Sequence, residues 1–175
     1  MIRVTNDILR NGNMYLRKVD LDDSYDYYEF CKDPEVTTFL TFDAYTSIKM
    51  MQKTIGNMIR GFLCNESINY SIFYDGKIIG SISLTFKGDD AEIGIIINKN
   101  YWHQGLGTKA MQLVINYAFN TLGVKTLYAN YVTDNTASSK LLYKLGFSIY
   151  KVEKNGFKKN NIFYDLAYTC LENNK

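Results

Sequence analysis

The stretch AEIGIIINKNYWHQGLGTKAMQLVINY, residues 91–117, decides how the rest of the chain is interpreted. It opens with an apolar run that predicts a strand, and a short polar turn follows. A loop with glycines at positions 105 and 107 then opens a helical pattern. The N–H groups of a helix's first turn have no partner within the helix, and the helix dipole favours negative charge there. This strand, glycine loop and helix therefore predict a binding site for an anion such as a pyrophosphate.

Length and composition limit the classes of protein that need to be considered. The chain has 175 residues and is 46% hydrophobic, so we expect residues 1–175 to form a single domain with a full core. The net charge of +2, without a basic run, argues against nucleic acid as a partner. No segment is apolar enough to predict a membrane span, and residues 1–7 lack the apolar region of a signal peptide.

The cysteines and the histidine argue against a metal site. Cys31, Cys64 and Cys170 are odd in number and widely spaced, without a C-x-x-C pair, and they predict reduced thiols. His103 is the single histidine, so no set of zinc ligands is indicated. We therefore expect a cytoplasmic protein without a metal.

Outward from the central stretch, the patterns predict a chain of alternating strands and helices. Before it we expect a strand at residues 13–19, a helix from the aspartates at 20–23 to near Pro34, and a helix at 47–63. Strands at 68–74 and 77–86 should then form a hairpin, because Asp75-Gly76 between them is a dipeptide typical of type I′ turns. After it we expect the helix to end near residue 120, a strand at 125–132, a helix from 135 to 143, and an antiparallel pair at 147–152 and 162–170 joined by a polar loop. The order predicts a mixed α/β (α+β) domain.

Two common glycine-loop sites fit this sequence poorly. A dinucleotide-binding fingerprint stands near the start of its domain, whereas three predicted strands precede this loop. A P-loop needs G-K-S/T after its leading glycine, and this loop reads G-T-K at residues 107–109.

Several motifs together resemble a known family. The loop fits x-x-x-G-x-G/A, and N-x-x-S at residues 135–138 and KLGF at residues 144–147 follow it. This combination resembles the GNAT superfamily of acetyl-CoA-dependent N-acetyltransferases. AEIG at residues 91–94 and Tyr101-Trp102 are similar to the Rim-type branch, which acetylates ribosomal-protein N-termini. Bacterial spermidine N-acetyltransferases are similar over residues 91–147. The resemblance implies a single mixed, mostly antiparallel sheet flanked by helices, with acetyl-CoA as cosubstrate.

The resemblance also assigns the cofactor contacts. It implies that the backbone of Ile95, Ile96 and Ile97 contacts pantetheine and that Asn135 also contacts the cofactor. It implies that the pyrophosphate is bound by the residues of the glycine loop, namely Trp102, His103, Gln104, Gly105, Leu106, Gly107 and Thr108. Pantetheine binding requires the strand at residues 91–97 to separate from the strand at 125–132. Many members carry Arg or Gln where this chain has Trp102, so His103 or Gln104 would supply the side-chain contact to phosphate. A role for His103 as general base is less favoured, because it lies inside the cofactor loop.

The catalytic candidates are Glu92 and Ser138. Glu92 is a candidate base, directly or through water, because a free alkylamine with a pKa of about 10 must lose its proton. The alternative is a surface carboxylate beside the turn at residues 88–90. Ser138 is a candidate proton donor to the leaving thiolate, because Tyr143 lies one residue out of step with the tyrosine that many members use. Simple helix capping is the alternative for both Ser138 and Asn135.

The acceptor is indicated only by charge. Residues 18–43 carry eight acidic side chains, which would suit a cationic acceptor such as a polyamine, an aminoglycoside or a protein N-terminus. A solvated helix face is the alternative interpretation. Two functions stay open at this point, namely an N-acetyltransferase acting on a primary amine and a non-catalytic acyl-CoA-binding or sensing protein. A homodimer is compatible with the sequence, although no heptad repeat indicates one.

Overall fold

One eight-stranded sheet organises the structure, a computed structural model that describes residues 8–173. Residues 1–7, where the sequence analysis predicts no signal peptide, and residues 174–175 lie outside the described residues. The strands are β1 (Leu9–Asn11), β2 (Met14–Lys18), β3 (Ser67–Tyr74), β4 (Lys77–Lys87), β5 (Asp90–Ile97), β6 (Thr126–Val132), β7 (Ser148–Lys159) and β8 (Ile162–Glu172). The helices are α1 (Ser24–Cys31), α2 (Pro34–Thr37), α3 (Ile48–Leu63), α4 (Leu106–Asn120) and α5 (Thr136–Lys144), with 3-10 turns at Leu21–Asp23 and Lys99–Tyr101.

The strand order is β1-β2-β3-β4-β5-β6-β8-β7. Neighbouring strands pair antiparallel, apart from β5 and β6, which pair parallel. A parallel pair needs a crossover connection, and α4 provides it. The expected single mixed, mostly antiparallel sheet flanked by helices is therefore confirmed.

Helices cover both faces of the sheet. The larger apolar cluster joins α4 to strands β2 to β6, and Ile95 and Ile97 pack against it. The smaller cluster joins α1 and α3, and Ile96 packs against that one. Because successive side chains of a strand point to opposite faces, these contacts place the two clusters on opposite sides of β5.

The two hairpin turns of the sheet differ in how well the sequence predicts them. Asp75 and Gly76 both have positive φ angles, 48° and 77°, as the predicted type I′ turn requires. The predicted polar loop between residues 152 and 162 is wrong, because β7 and β8 extend through it. Asn160 and Asn161 form the turn instead, with φ angles of 49° and 62°, and the Asn155 and Gly156 region is a bulge in β7.

Two short elements were missed near the start of the chain. The strand β1 precedes the predicted first strand and pairs with β2 across a turn at Gly12, which has a φ of 58°. The helix α2 begins at Pro34, where we expected a helix to end. Proline suits the first position of a helix, and the Asp33 carboxylate caps α2 by accepting from the Glu35 N–H at 2.9 Å.

Candidate active site

A cleft opens where β5 and β6 separate. Their ladder has two residue pairs, Ala91 with Leu127 and Glu92 with Tyr128, and among the described residues it ends there. Beyond this point β5 stays paired with β4 as far as Ile97, and β6 stays paired with β8. The separation that the resemblance implied is therefore present, and it leaves facing backbone edges available to a bound molecule.

The cleft has a volume of about 660 Å³ and, among the described residues, is lined by three parts of the chain. We call the first part the strand wall, which comprises Ile95, Ile96, Ile97, Trp102, His103, Gly105, Leu106, Gly107 and Thr108. We call the second part the loop wall, which comprises Val36, Thr38, Phe39 and Leu40. The start of α5 contributes Asn135 and Ser138. Most of the predicted cofactor residues are thus brought together, while Glu92 and Gln104 lie outside the lining.

The backbone of β5 presents a defined edge to the cleft. The Asn98 N–H donates to the Ile79 carbonyl at 2.8 Å, so alternation along the ladder turns the backbone groups of Ile95 and Ile97 away from β4. The indole Nε1 of Trp102 donates to the Ile97 carbonyl at 2.8 Å, which agrees with this orientation. The N–H groups of Ile95 and Ile97 and the carbonyl of Ile95 then face the gap.

A glycine of the neighbouring strand sets the position of that edge. A Cβ added to Gly80 of β4 would overlap the carbonyl oxygen of Ile96 and would lie 3.0 Å from the Cα of Ile97. Both are backbone atoms, so they could move aside only if β5 itself moved. The close approach of β4 to β5 therefore requires glycine at position 80, a residue that the sequence reasoning did not single out.

The N-terminus of α4 forms the end of the cleft that suits an anion. Gly105 is its N-cap, has a left-handed φ of 72° and provides no side-chain cap. The N–H groups of Leu106, Gly107 and Thr108 belong to the first turn and have no helical acceptor. These features fit a diphosphate. Two lysines of α5, Lys140 and Lys144, also line the cleft and add positive charge to it. Sequence reasoning missed both lysines, although their spacing of four residues places them on one face of a helix.

The side chains of the glycine loop mainly stabilise the loop. Trp102 binds the Ile97 carbonyl, and Gln104 Nε2 donates to the Asn100 carbonyl at 3.2 Å. The structure therefore does not bring the Gln104 side chain into the cleft. His103 lines the cleft, is exposed and has a positive φ of 59°.

Glu92 occupies the last position at which β5 pairs with β6, and two neighbouring side chains donate hydrogen bonds to its carboxylate. Its carboxylate accepts from Lys87 Nζ at 2.8 Å and from Asn130 Nδ2 at 3.2 Å, and its side chain is 39% exposed. The carboxylate also raises the pKa of Lys87 through this hydrogen bond. Glu92 therefore belongs to the edge of the opening rather than to its lining.

Two polar residues at the beginning of α5, Asn135 and Ser138, have different positions and roles. The Asn135 side-chain oxygen accepts from the Ser138 N–H at 3.1 Å and so caps the helix. The Ser138 side chain is half-buried and lines the cleft. Tyr143 is 83% exposed while Leu142 is buried, which confirms that Tyr143 points away.

Ion pairs neutralise part of the acidic segment at residues 18–43. Buried Asp23 pairs with Arg17 at 2.7 Å, and Lys99 pairs with Asp33 at 2.6 Å and with Glu35 at 3.3 Å. Within the acidic segment, Glu35 reaches the cleft lining. The interpretation of this segment as a general acidic groove therefore receives little support.

Other features of the described residues concern membranes, metals and thiols. Across residues 8–173, no helix combines the length and apolar character needed to cross a bilayer, and no three potential metal-ligating side chains lie together. The cysteines are free, and burial raises the pKa of the Cys31 thiol to about 12. That thiol therefore stays protonated at neutral pH.

Comparisons with known proteins agree with this geometry. The uncharacterized N-acetyltransferase p20 of Bacillus licheniformis is 27% identical over 146 residues, 81% of this chain and 82% of that protein. The spermidine N(1)-acetyltransferase of Escherichia coli K12 is 37% identical over 81 residues, 46% of this chain and 44% of that protein. The solved structure of RimL, a ribosomal L7/L12 alpha-N-protein acetyltransferase in complex with coenzyme A, has a TM-score of 0.88 at 18% identity and covers 95% of this chain and 98% of that one.

The structural neighbours thus include a ribosomal-protein acetyltransferase, as the resemblance to the Rim-type branch implied. The profile of the acetyltransferase (GNAT) domain matches residues 13–148, which span the sheet from β2 to the start of β7 and include the whole cleft. The chain therefore belongs to the GNAT family and is an acetyl-CoA-dependent N-acetyltransferase.

Proposed function

We propose that the cleft binds acetyl-CoA and that the enzyme transfers its acetyl group to a primary amine. The observation that carries this proposal is that β5 separates from β6 beyond Glu92 and that Ile95 and Ile97 of the freed stretch pack beside Gly107 at the uncapped N-terminus of α4. This arrangement offers backbone partners for an extended amide chain and N–H groups for a diphosphate in one continuous cleft. We also propose that residues 1–175 form one domain and that the protein acts in the cytoplasm, where its free thiols stay reduced.

Three tasks fall to residues of this chain. The N–H of Ile95 or Ile97 would donate to the thioester carbonyl as negative charge develops on its oxygen. The half-buried hydroxyl of Ser138 would donate a proton or a hydrogen bond to the departing sulfur. Glu92 would take the amine proton through water, because it stands at the edge of the opening and outside its lining.

The acceptor that we propose is a polyamine, another small amine or a protein N-terminus. Spermidine and a ribosomal-protein N-terminus are the acceptors named for two of the proteins to which this chain is similar. Both present a primary amine. Glu35 places a carboxylate in the lining of the cleft beside the loop wall. Because Glu35 shares Lys99 with Asp33, the three groups keep a net negative charge that would attract the ammonium form.

The proposal is tested by titration calorimetry with acetyl-CoA, followed by a thiol-release assay with spermidine, amino sugars and peptides that have free N-termini. We expect heat on titration and release of free thiol with at least one amine. No heat with folded protein would refute the cofactor site. Heat without thiol release would instead count against the proposed acceptors.

Ser138→Ala tests the proton donor. We expect turnover to fall by about 10²-fold, because a positioned proton donor is removed, while the affinity for acetyl-CoA stays nearly constant. Ser139→Ala is the matched control on the next position of α5, where turnover should be unchanged. Equal turnover in both variants would leave the Ser138 hydroxyl without a catalytic role.

Glu92→Gln tests the base. We expect the acidic limb of the pH–rate profile to move or disappear, because glutamine cannot accept the amine proton. Asp89→Asn is the control, since it removes a nearby exposed carboxylate that pairs with Lys125. A profile identical to that of the unmodified enzyme would exclude Glu92 as the base.

A further inference from the structure

The tip of the β7–β8 hairpin inserts a lysine into the loop that follows α2. Lys159 Nζ donates to the carbonyls of Thr37 at 2.5 Å, Leu40 at 2.9 Å and Phe42 at 2.7 Å. Its side chain is only 11% exposed, and the Asp43 carboxylate lies 3.7 Å away. The three donors of the ammonium therefore meet three backbone acceptors, with a carboxylate nearby to balance the charge.

This contact stabilises a segment without regular structure. Residues 38–47 connect α2 to α3 and form neither helix nor strand. Carbonyls that are removed from water need a hydrogen-bond partner. Lys159 donates to three such carbonyls at once. A second contact from the same hairpin is the edge-to-face packing of Tyr164 on Phe39, with ring centroids 6.0 Å apart.

The segment held in this way is the loop wall of the cleft. Thr38, Phe39 and Leu40 line the same cleft as Ile95 to Ile97, and they lie within the stretch that Lys159 binds. The hairpin itself contributes no residue to the lining among those described. Lys159 can therefore influence the cleft through the loop wall and has no direct contact with a bound molecule.

We propose that Lys159 is a positioning residue, whose ammonium fixes the loop wall and so sets the shape of the acceptor side of the cleft. The inference rests on the proposed function for the identity of the reaction. The conformation of the loop wall can nevertheless be measured without any substrate, so the two proposals can fail separately.

The first experiment compares Lys159→Met with Lys158→Met by amide hydrogen exchange in the absence of ligands. Lys158 is the matched control, because it is the adjacent lysine of β7, is exposed and lies over the Phe163 ring at 5.1 Å. We expect exchange of residues 38–46 to become at least about tenfold faster in Lys159→Met alone, since methionine keeps the length of the side chain but not its donors. Equal exchange in the two variants would overturn the proposal.

The second experiment distinguishes the ammonium from simple packing. Lys159→Ala removes a fragment that corresponds to n-propylammonium, so that ion should slow the exchange of residues 38–46 again in this variant. 1-Propanol, which has the same length and no charge, should not. Equal rescue by both compounds, or by neither, would contradict a role for the charged donor.

The third experiment measures the consequence for the reaction, with spermidine and a peptide with a free N-terminus as probes. For Lys159→Met we expect the KM for the accepted amine to rise about tenfold, while the acetyl-CoA affinity from calorimetry stays within about twofold. An unchanged amine KM alongside faster loop exchange would overturn the role in positioning. Absence of turnover in the unmodified enzyme would instead count against the proposed acceptors, and the exchange experiments would still decide whether Lys159 holds the wall.

Discussion

The two walls of the cleft are built in different ways. The strand wall comes from residues 95–108, and its parts are fastened to one another by short-range contacts such as the bond from Trp102 to the Ile97 carbonyl. The loop wall comes from residues 36–40, and it is held by Lys159, which lies 119 residues from Leu40 in the chain. The strand wall therefore depends mainly on its own residues and on the neighbouring strand β4, where Gly80 packs against β5, whereas the loop wall depends on a distant hairpin.

This difference has consequences for how each wall responds to change. A wall made from local contacts forms together with its strand and helix, and it yields only when its backbone is displaced. A wall held by a distant hairpin loses its conformation when a single side chain at the hairpin tip changes. Conservative substitutions in the strand wall should accordingly affect the affinity for acetyl-CoA, and substitutions in the hairpin should affect the use of the acceptor.

Gly80→Ala should break the strand wall and give the largest effect. The added methyl group would overlap the Ile96 carbonyl, so β5 must shift at the edge that faces the gap. We expect the free energy of unfolding to fall by about 1–3 kcal/mol, the usual range for overpacking. We expect the acetyl-CoA affinity to fall by at least about tenfold, or roughly 1.4 kcal/mol. Chemical denaturation and titration calorimetry measure the two quantities.

Gly56→Ala provides the control for that prediction. Gly56 is exposed in α3, and a Cβ there would meet no atom within 4 Å. Because glycine disfavours helix, this change should raise the free energy of unfolding by about 1 kcal/mol and leave the affinity for acetyl-CoA unchanged. If Gly80→Ala also leaves the affinity for acetyl-CoA unchanged, then β5 accommodates the methyl group without moving the edge that faces the cleft.

Trp102→Phe should loosen the strand wall by a smaller amount. The change keeps an aromatic ring but removes the indole donor to the Ile97 carbonyl. A net loss of about 1 kcal/mol in stability is expected for one such hydrogen bond, with a fall of about fivefold in acetyl-CoA affinity. Gln104→Ala is the control, since its bond to the Asn100 carbonyl is exposed and its side chain lies outside the cleft. Similar losses in the two variants would mean that Trp102 has no special part in holding the wall.

The same difference explains what could be predicted from the sequence. The β5 strand, the glycine loop and α4 are encoded by local signals, so their order follows from the pattern. The separation of β5 from β6 and the cofactor contacts of Ile95 to Ile97 were implied by the resemblance to the GNAT superfamily. The turn at Asp75 and Gly76 is of the same kind, because two residues with positive φ determine it. Tyr143 could likewise be placed outside the cleft from helical spacing.

The loop wall could not be predicted in this way. Its position depends on Lys159, and Lys159 is a surface-type residue in a polar stretch that we interpreted as a loop. The error had a local cause, because asparagines can adopt the positive φ angles of a hairpin turn and Asn160 and Asn161 do so. Even with that turn recognised, no sequence pattern reports which distant carbonyls a lysine will bind.

Asp33→Asn tests a link between the two walls and should give the smallest effect. The Asp33 carboxylate caps α2 and pairs with Lys99, which follows β5, and the hydrogen bond from Lys99 lowers the pKa of Asp33 from its ordinary value. A carboxyl whose pKa is lowered by folding stabilises the folded state above its unfolded pKa and loses that contribution as the pH falls through the folded value. Asparagine retains the cap but not the charge, so the variant should lack this part of the acid dependence below about pH 4. Denaturation midpoints measured from pH 6 down to pH 2.5 provide the comparison, and parallel curves for the two proteins would show that the pair between the walls contributes nothing to stability.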